Sequence, residues 1–217
     1  MTINSNIIKV KGESRFIANP YDLFATPHSL VDYFVPSITL ASLGGRVLDV
    51  GCGDKVWANA VTRSCPDASV TTIDLDPQWN PDIVGSFLDH EVAGNYEVLI
   101  GNPPFGSKDD KHLATHIVEH ALCLDKSKYL RPRQVLFLLS TDFVSGGDRY
   151  NSIFSKCPPL FIYHLSDRIN FRFSKLAKEY VRGSNTTLYS VFDWRPRSLT
   201  RDSTTVAWVK NPDGMWR

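Results

Sequence analysis

Short apolar runs alternate with longer polar stretches along most of this chain. The runs are rich in Val, Ile, Leu and Phe, and the first several are separated by stretches long enough for a helix or a crossover connection. The six runs are residues 46–50, 69–73, 82–84, 97–100, 135–139 and 160–163. Because parallel strands require such crossovers, this pattern predicts a mostly parallel, doubly wound α/β sheet.

The C-terminal part of the chain has a different pattern. Residues 187–194 and 204–210 are β-branched or aromatic runs, and the short polar stretch between them leaves no room for a helix. These two runs predict antiparallel strands at the C-terminal edge of the sheet.

The whole chain is expected to form one domain. Its 217 residues are 42% hydrophobic, which is enough for one sizeable core, and no repeat or linker-like tract divides them. We predict that residues 1–16 are a flexible N-terminal arm. Pro27 suits the first turn of a helix that begins nearby.

Composition excludes several classes of protein. A formal net charge of +1 excludes a histone-like polycation and an acidic tail. The four cysteines include no CxxC pair, so neither a zinc knuckle nor a dense disulfide scaffold is indicated, and a reducing compartment fits best. No secretory leader and no apolar run of the ~18 residues that a membrane span needs is evident, so we expect a cytoplasmic protein without membrane attachment.

A glycine-containing turn directly follows the first apolar run. Gly51 and Gly53 form a Gly-x-Gly turn, in which missing side chains let backbone approach a ligand. Val56 occupies the position where a dinucleotide fingerprint has its third glycine, which disfavours a pyrophosphate clamp. Asp74 ends the next run about 20 residues on, where a carboxylate can accept both hydroxyls of a ribose. These residues predict a nucleoside-bearing cofactor without pyrophosphate.

The Asp-x-Gly-x-Gly turn, followed by an acidic end to the second strand, resembles the cofactor site of class I S-adenosylmethionine-dependent methyltransferases. The resemblance implies a seven-stranded, Rossmann-like sheet and S-adenosyl-L-methionine as cofactor. Residues 85–88 look like the third-strand motif of that family, with Ser86 in place of its usual acid. The implied cofactor-binding residues are Thr26, Asp49, Gly51, Gly53, Asp74, Leu75, Ser86 and Phe87.

A tetrapeptide after the fourth run provides chemistry for an amine. Asn102, Pro103, Pro104 and Phe105 follow a strand at the carboxyl edge of the sheet, where open α/β sheets bind ligands. Two prolines give a stiff loop that has acceptors but few donors. If the Asn102 side-chain oxygen and the Pro103 carbonyl accept the two protons of an aromatic amine, its lone pair becomes localised and can attack a methyl group. Phe105 supplies a surface on which the target ring can stack. We predict that these four residues are catalytic.

The tetrapeptide resembles the Asp/Asn-Pro-Pro-Tyr/Phe signature of amino methyltransferases, which act on adenine N6, on some guanine N2 positions in RNA, or on a protein glutamine. Residues 21–27 resemble the Thr-Pro motif that precedes both others in gamma-order adenine-N6 DNA methyltransferases. The chain is also similar to compact enzymes of this kind from phages and mobile elements. Adenine N6 in DNA is therefore the predicted target. RNA is the alternative, because residues 102–108 also resemble the loop of small ribosomal RNA adenine-N6 methyltransferases.

A locally basic segment favours a nucleic-acid partner. Residues 166–185 are predicted to be a substrate-facing insertion with an excess of positive charge in a nearly neutral chain. The predicted phosphate contacts are Lys108, Arg168, Arg172, Lys175, Lys178 and Arg182. A duplex base would have to be flipped out to reach the methyl donor. Since the chain has little room for a separate recognition domain, a partner protein that supplies target recognition is a further hypothesis.

Two alternatives come from other functional classes. His112, His116 and His120 share a helical stripe, and His116 to His120 spells H-x-x-E-H, an inverted zinc-protease motif. The segment has no separate distal ligand, and the predicted sheet needs a covering helix at this point, so we predict no metal site. A non-catalytic protein of the same fold that only binds cofactor or nucleic acid is the second alternative, and Ser86 is the residue that favours it.

Overall fold

The computed structural model describes residues 9–10, 13–14, 25–38, 45–106, 110–169, 171, 187–198 and 203–211. The strands are β1 (Lys9–Val10), β2 (Glu13–Ser14), β3 (Arg46–Val50), β4 (Ser69–Asp74), β5 (Ile83–Val84), β6 (Val98–Gly101), β7 (Gln134–Ser140), β8 (Phe161–Leu165), β9 (Tyr189–Trp194) and β10 (Thr205–Val209). The α-helices are α1 (His28–Phe34), α2 (Val56–Ser64), α3 (Leu113–Leu122) and the single-turn α4 (Gly147–Arg149), which a π-helical turn (Tyr150–Phe154) extends. Short 3₁₀ turns are Val35–Ser37, Pro77–Trp79, Phe87–Asp89, Lys128–Leu130 and Thr141–Val144.

Eight of the strands in the described ranges form one sheet, in the order β10-β8-β9-β7-β6-β3-β4-β5. From β3 the chain moves outward through β4 to β5, then returns across β3 to form β6 and β7 on the other side. The strand order therefore reverses between β3 and β6. In open α/β sheets a ligand binds at such a switch point, outside the carboxyl ends of the strands.

Both faces of the sheet are covered, which explains the nearly continuous apolar runs. Along β6, Val98 and Ile100 contact a core that includes α1 and α2, whereas Leu99 contacts a second core that includes α3. Every residue of β6 is buried. The period-two alternation of a strand thus serves two apolar layers instead of one apolar and one wet layer.

The predicted mostly parallel α/β fold is confirmed, with a difference at the C-terminal edge. The described sheet has eight strands instead of seven, and β9 is the strand that runs antiparallel to its neighbours, between β7 and β8. We expected both C-terminal strands to be antiparallel, but β10 pairs with β8 in parallel. The connection after β9 reverses the chain as a hairpin would. Because β8 already occupies that edge of β9, β10 pairs with β8, which has the same direction.

Two predicted segments lie mostly outside the described residues. Of the predicted N-terminal arm, residues 1–16, the structure describes the small antiparallel pair β1–β2. Of the predicted insertion, residues 166–185, it describes residues 166–169 and 171. Both assignments stay predictions.

Candidate active site

The loops after β3 and β6 lie against each other at the switch point of the sheet. A Cβ atom added to Gly101 would lie 2.5 Å from the Val50 carbonyl oxygen, and the Gly101 φ angle is +147°. A Cβ atom on Gly51 would lie 3.5 Å from Pro104 Cδ. Only glycine permits the first approach, and it brings the segment that begins at Asn102 beside the glycine turn.

Hydrogen bonds fix the glycine turn to the end of β4. The backbone N–H groups of Gly51 and Cys52 both donate to the Ile73 carbonyl, at 3.0 and 3.1 Å. The Gly53 N–H donates to Oδ2 of Asp74 at 2.9 Å. Both glycines have positive φ angles, +64° and +49°, and a Cβ atom on Gly53 would meet no other atom within 4 Å. The turn thus presents bare backbone to an open space.

Asp74 is the partly buried carboxylate at this edge. Its Oδ1 atom accepts a second hydrogen bond, from the Asp76 N–H at 2.9 Å. Burial raises the pKa of the Asp74 carboxyl, while the N–H groups of Asp76 and Gly53 lower it. Each carboxylate oxygen holds one backbone N–H and retains a lone pair for a ligand hydroxyl.

A cleft opens over this edge and collects most of the predicted cofactor-binding and catalytic residues. The predicted residues that line it are Thr26, Gly51, Gly53, Asp74, Leu75, Ser86, Phe87, Asn102 and Pro104. Residues from the glycine turn, from the ends of β4 and β5, and from the proline loop therefore face one common space. Leu75 is 55% exposed, which is unusual for a leucine and leaves its side chain free to contact a flat apolar group.

Sequence reasoning missed part of the cleft wall. Trp57, Trp79, Leu88, Leu113 and Ile117 also line the cleft. Leu113 and Ile117 are four residues apart on α3, a spacing that by itself indicates only the apolar side of a covering helix. The same spacing also places both side chains on one face, which here extends past the sheet to the cleft.

No family model matches the chain. Ribosomal RNA small subunit methyltransferase C of Buchnera aphidicola is 29% identical over 125 residues, which are 52% of this chain and 36% of that protein. The chain thus matches little more than a third of the length of this curated relative.

Solved structures give the fold. A protein described as a class I S-adenosylmethionine-dependent methyltransferase, from Listeria monocytogenes, superposes with a TM-score of 0.59 at 13% identity, over 85% of this chain and 65% of that one. The chain has the class I methyltransferase fold. A protein described as the modification subunit of a type I restriction enzyme, from Vibrio vulnificus, shares this fold, with a TM-score of 0.58 at 14% identity, over 88% of this chain and 48% of that one.

Asp49 does not line the cleft of this methyltransferase fold, although it was predicted to bind cofactor. Its side chain is fully buried, and Oδ2 accepts a hydrogen bond from the Ala58 N–H at 3.0 Å, in the first turn of α2. Burial raises the pKa of the Asp49 carboxyl well above its usual value. The residue holds the helix behind the glycine turn, so its contribution to the site is indirect.

Ser86 lines the cleft and also has a local structural role. Its Oγ atom accepts a hydrogen bond from the Leu88 N–H at 3.2 Å and caps the 3₁₀ turn that begins at Phe87. A serine can therefore form the turn without the acid that the methyltransferase family usually has here.

The second and fourth residues of the tetrapeptide differ from the expectation. Pro103 and Phe105 do not line the cleft. The ring of Phe105 packs against that of Tyr189, with 5.4 Å between centroids, and Tyr189 in turn contacts Phe171 at 4.9 Å. Phe105 therefore belongs to an aromatic group beside the cleft, on the side of β9.

The histidine stripe on α3 does not converge. His116 Nδ1 lies 2.8 Å from Asp110 Oδ2, whereas His120 Nε2 lies 2.7 Å from the His90 carbonyl oxygen. Within the described ranges, no group of three or more His, Cys, Asp or Glu side chains is arranged to hold a metal ion. The zinc-protease alternative thus receives no support from the described geometry.

The predicted phosphate contacts lie mostly outside the described residues. Lys108, Arg172, Lys175, Lys178 and Arg182 are among the residues that the structure does not describe. Arg168 is described and exposed, three residues after the end of β8.

In the described part of the chain, no helix is long and apolar enough to span a membrane.

Proposed function

We propose that this chain is an S-adenosyl-L-methionine-dependent methyltransferase that acts on the exocyclic amine of a nucleobase, with adenine N6 as the first candidate. One observation carries the proposal. Asn102 and Pro104 line the same cleft as Gly51, Gly53 and Asp74, so the amine-accepting loop and the cofactor loop share one space.

The residues of the cleft fit the cofactor that the fold implies. The bare backbone at Gly53 leaves room for the methionine part, and Asp74 offers lone pairs to the ribose hydroxyls. Leu75, Phe87 and Ile117 provide apolar surface for the adenine ring. When bound, the cofactor supplies an electrophilic methyl group on a sulfonium sulfur.

The chain contributes mainly position and fixed dipoles to the reaction. The Asn102 side-chain oxygen and the Pro103 carbonyl would accept the two protons of the target amine, which localises its lone pair toward the methyl group. The stiff Pro-Pro segment keeps both acceptors in place, so little reorganisation is needed during transfer. Phe105, which is partly exposed and backed by the buried Tyr189, would provide an aromatic surface on the target side, where stacking of a base contributes about 1–3 kcal/mol.

RNA is the first macromolecule to test. The Buchnera relative, with 29% identity over half of this chain, is named as a ribosomal RNA methyltransferase. DNA is the second candidate, and the order of the motifs favours it: Thr26 precedes the glycine turn and the tetrapeptide, as in gamma-order DNA methyltransferases, and Thr26 lines the cleft. A target-recognition partner stays a hypothesis for either substrate.

Labelled-methyl transfer to separate pools of DNA, RNA and protein tests the proposal, followed by mass spectrometry of the digested nucleosides. Radiolabel in N6-methyladenosine or its deoxy form is the expected result. Label in guanine would keep a nucleobase amine as the target and exclude adenine N6. Label in protein would contradict the proposal. Cofactor binding without transfer to any pool would contradict the proposal and favour a non-catalytic protein.

A further inference from the structure

A group of positively charged side chains lies at the amino ends of the parallel strands, opposite the cleft. We call this group the arginine surface. It consists of Arg46, Lys126, Lys128, Arg131, Arg133 and Arg197. Four of them lie within residues 126–133, and the sheet brings Arg46 and Arg197 beside that segment.

Backbone hydrogen bonds between neighbouring segments assemble the arginine surface. The Glu97 N–H donates to the Arg46 carbonyl at 2.8 Å, and the Arg133 N–H donates to the Glu97 carbonyl at 2.7 Å. The Arg197 side chain donates through Nε to the Arg131 carbonyl. These bonds hold Arg46, the first residue of β3, at one edge of the sheet. The residues just before β6 and β7 and those after β9 lie at the same edge.

Several of these side chains are fixed by carbonyl acceptors. Arg46 Nη2 donates to the Gly94 carbonyl at 2.7 Å. Arg131 donates to the carbonyls of Leu124 and Lys126, at 3.0 and 3.2 Å, just after α3. Carbonyl acceptors orient a guanidinium without neutralising it, so the charge stays available to an anion.

The arginine surface has a marked excess of positive charge. Among the described residues, two carboxylates pair with it: Glu97 with Arg133 at 3.5 Å and Asp125 with Lys126 at 3.8 Å. Burial lowers the pKa of Arg197 and the nearby charge of Arg133 lowers it further, while Glu97 acts in the opposite direction. Since the whole chain has a formal net charge of only +1, this excess is local.

An aromatic ring stands beside these charges. Tyr129 is 88% exposed and lies between Lys128 and Arg131 along the chain. Basic side chains combined with an exposed aromatic ring are typical of surfaces that follow a nucleic-acid backbone and stack on unpaired bases. An acidic protein would require the charges but not the ring.

The arginine surface is within reach of a substrate that occupies the cleft. The five residues of β3, at ~3.3 Å per residue, span about 17 Å from Arg46 to the glycine turn. A duplex must also pass around the helices that cover the sheet, so it needs more than the roughly five base pairs that span this distance in a straight line. We propose that the arginine surface binds the phosphodiester backbone of the nucleic acid whose base is methylated in the cleft. This inference rests on the proposed function.

The test compares two triple variants of the full chain. The surface variant removes three of the six charges of the arginine surface, by Arg46→Gln, Lys128→Gln and Arg133→Gln. The control variant removes three exposed charges elsewhere, by Arg63→Gln, Lys156→Gln and Lys210→Gln. Binding of a 30-nucleotide hairpin RNA, the matching DNA duplex and a five-nucleotide oligomer is measured by fluorescence anisotropy from 50 to 300 mM salt. Affinity for S-adenosylhomocysteine and circular dichroism report that each variant is folded.

We expect the surface variant to bind the hairpin or the duplex about 10- to 100-fold more weakly at 100 mM salt, with a salt slope smaller by about 2 to 3. The five-nucleotide oligomer and S-adenosylhomocysteine should bind as to the wild type. KM for the long substrate should rise while kcat is unchanged. Arg133→Lys, which keeps the charge, should retain most of the affinity.

Equal affinity and equal salt slope in the two triple variants would overturn the inference. Polyglutamate is a further probe in the same assay, and the inference would also fail if the surface variant lost affinity for polyglutamate and kept its affinity for nucleic acid. Failure of the proposed function has a different signature, because the wild type would then transfer no methyl group to any nucleic acid.

Discussion

The Gly53 N–H donates a hydrogen bond to Asp74 Oδ2 across 2.9 Å, so the turn after β3 is held by the residue that ends β4. The same carboxylate faces the cleft. One side chain therefore fixes the shape of the glycine turn and, under the proposed function, would also offer acceptors to the cofactor. Substitution at Asp74 removes both contributions together.

Asp74→Ala is expected to weaken binding of S-adenosylhomocysteine by about 10- to 100-fold, because two hydrogen bonds to a charged acceptor are lost. Asp74→Asn keeps an oxygen for the Gly53 N–H and should give a smaller loss. Isothermal titration calorimetry measures both, with the exposed Asp67→Ala as the matched control. Wild-type affinity in Asp74→Ala would mean that the cofactor is held elsewhere.

Asn102→Ala is expected to reduce the single-turnover rate of methyl transfer by at least about 100-fold, since one of the two amine acceptors is removed. Cofactor affinity should stay within about threefold of the wild type. Asn95→Ala, at an exposed position on the opposite side of β6, is the control. Equal transfer rates for Asn102→Ala and wild type would refute the assigned role.

Gly101→Ala is expected to destabilise the fold by about 2–4 kcal/mol, because the φ angle is +147° and the new Cβ atom would lie 2.5 Å from a backbone oxygen. Urea denaturation measures the free energy of unfolding. The control is Gly147→Ala, where the added Cβ atom meets no atom within 4 Å. Similar stabilities for the two variants would show that β3 and β6 can move apart at little cost.

The buried carboxyl of Asp49 should make stability depend on pH. Its pKa is raised in the folded state, mainly by burial, so the folded protein holds a proton that the unfolded chain releases above about pH 4. The contribution of this carboxyl to the free energy of unfolding is therefore fully present below about pH 4. It is lost as the pH rises through the pKa of the folded state, by up to about 1.4 kcal/mol per pH unit.

Asp49→Asn should flatten that dependence, whatever its effect on absolute stability, while its side-chain oxygen can still accept from the Ala58 N–H. Urea denaturation between pH 4 and 8 provides the measurement. Asp74→Asn and Asp193→Asn serve as comparisons, since burial raises the pKa of both carboxyls in the same direction. An unchanged pH dependence in Asp49→Asn would indicate that Asp49 is ionised in the fold.

The sequence predicted the parallel part of the sheet well, because the pattern there follows from burial on both faces. The predicted run at 97–100 agrees with β6 to within one residue at each end. Gly51, Gly53 and Asp74 line one cleft, as expected for residues at the carboxyl ends of neighbouring parallel strands. Whether the Asp49 side chain faces the cleft or the helix could not be inferred. A carboxylate two residues before a glycine turn can contact a ligand, or it can accept a hydrogen bond from the following helix.

Other features depend on contacts that spacing does not encode. The parallel pairing of β10 arises because β8 occupies the edge that a simple hairpin would have used. The cations of residues 126–133 stand out as a local excess of charge, but Arg46 and Arg197 join them only when the sheet forms, so the sequence does not reveal the whole surface.

The reversed direction of β9 determines which end of that strand meets the target side of the cleft. Its first residue, Tyr189, enters at the carboxyl edge of the parallel strands and contacts Phe105. A parallel strand of six residues would have placed that ring about 20 Å away, at the other edge. Under the proposed function, the residues that would hold the methyl donor and the amine-accepting loop at Asn102 all precede residue 120, and a late strand supplies the aromatic ring that packs behind Phe105.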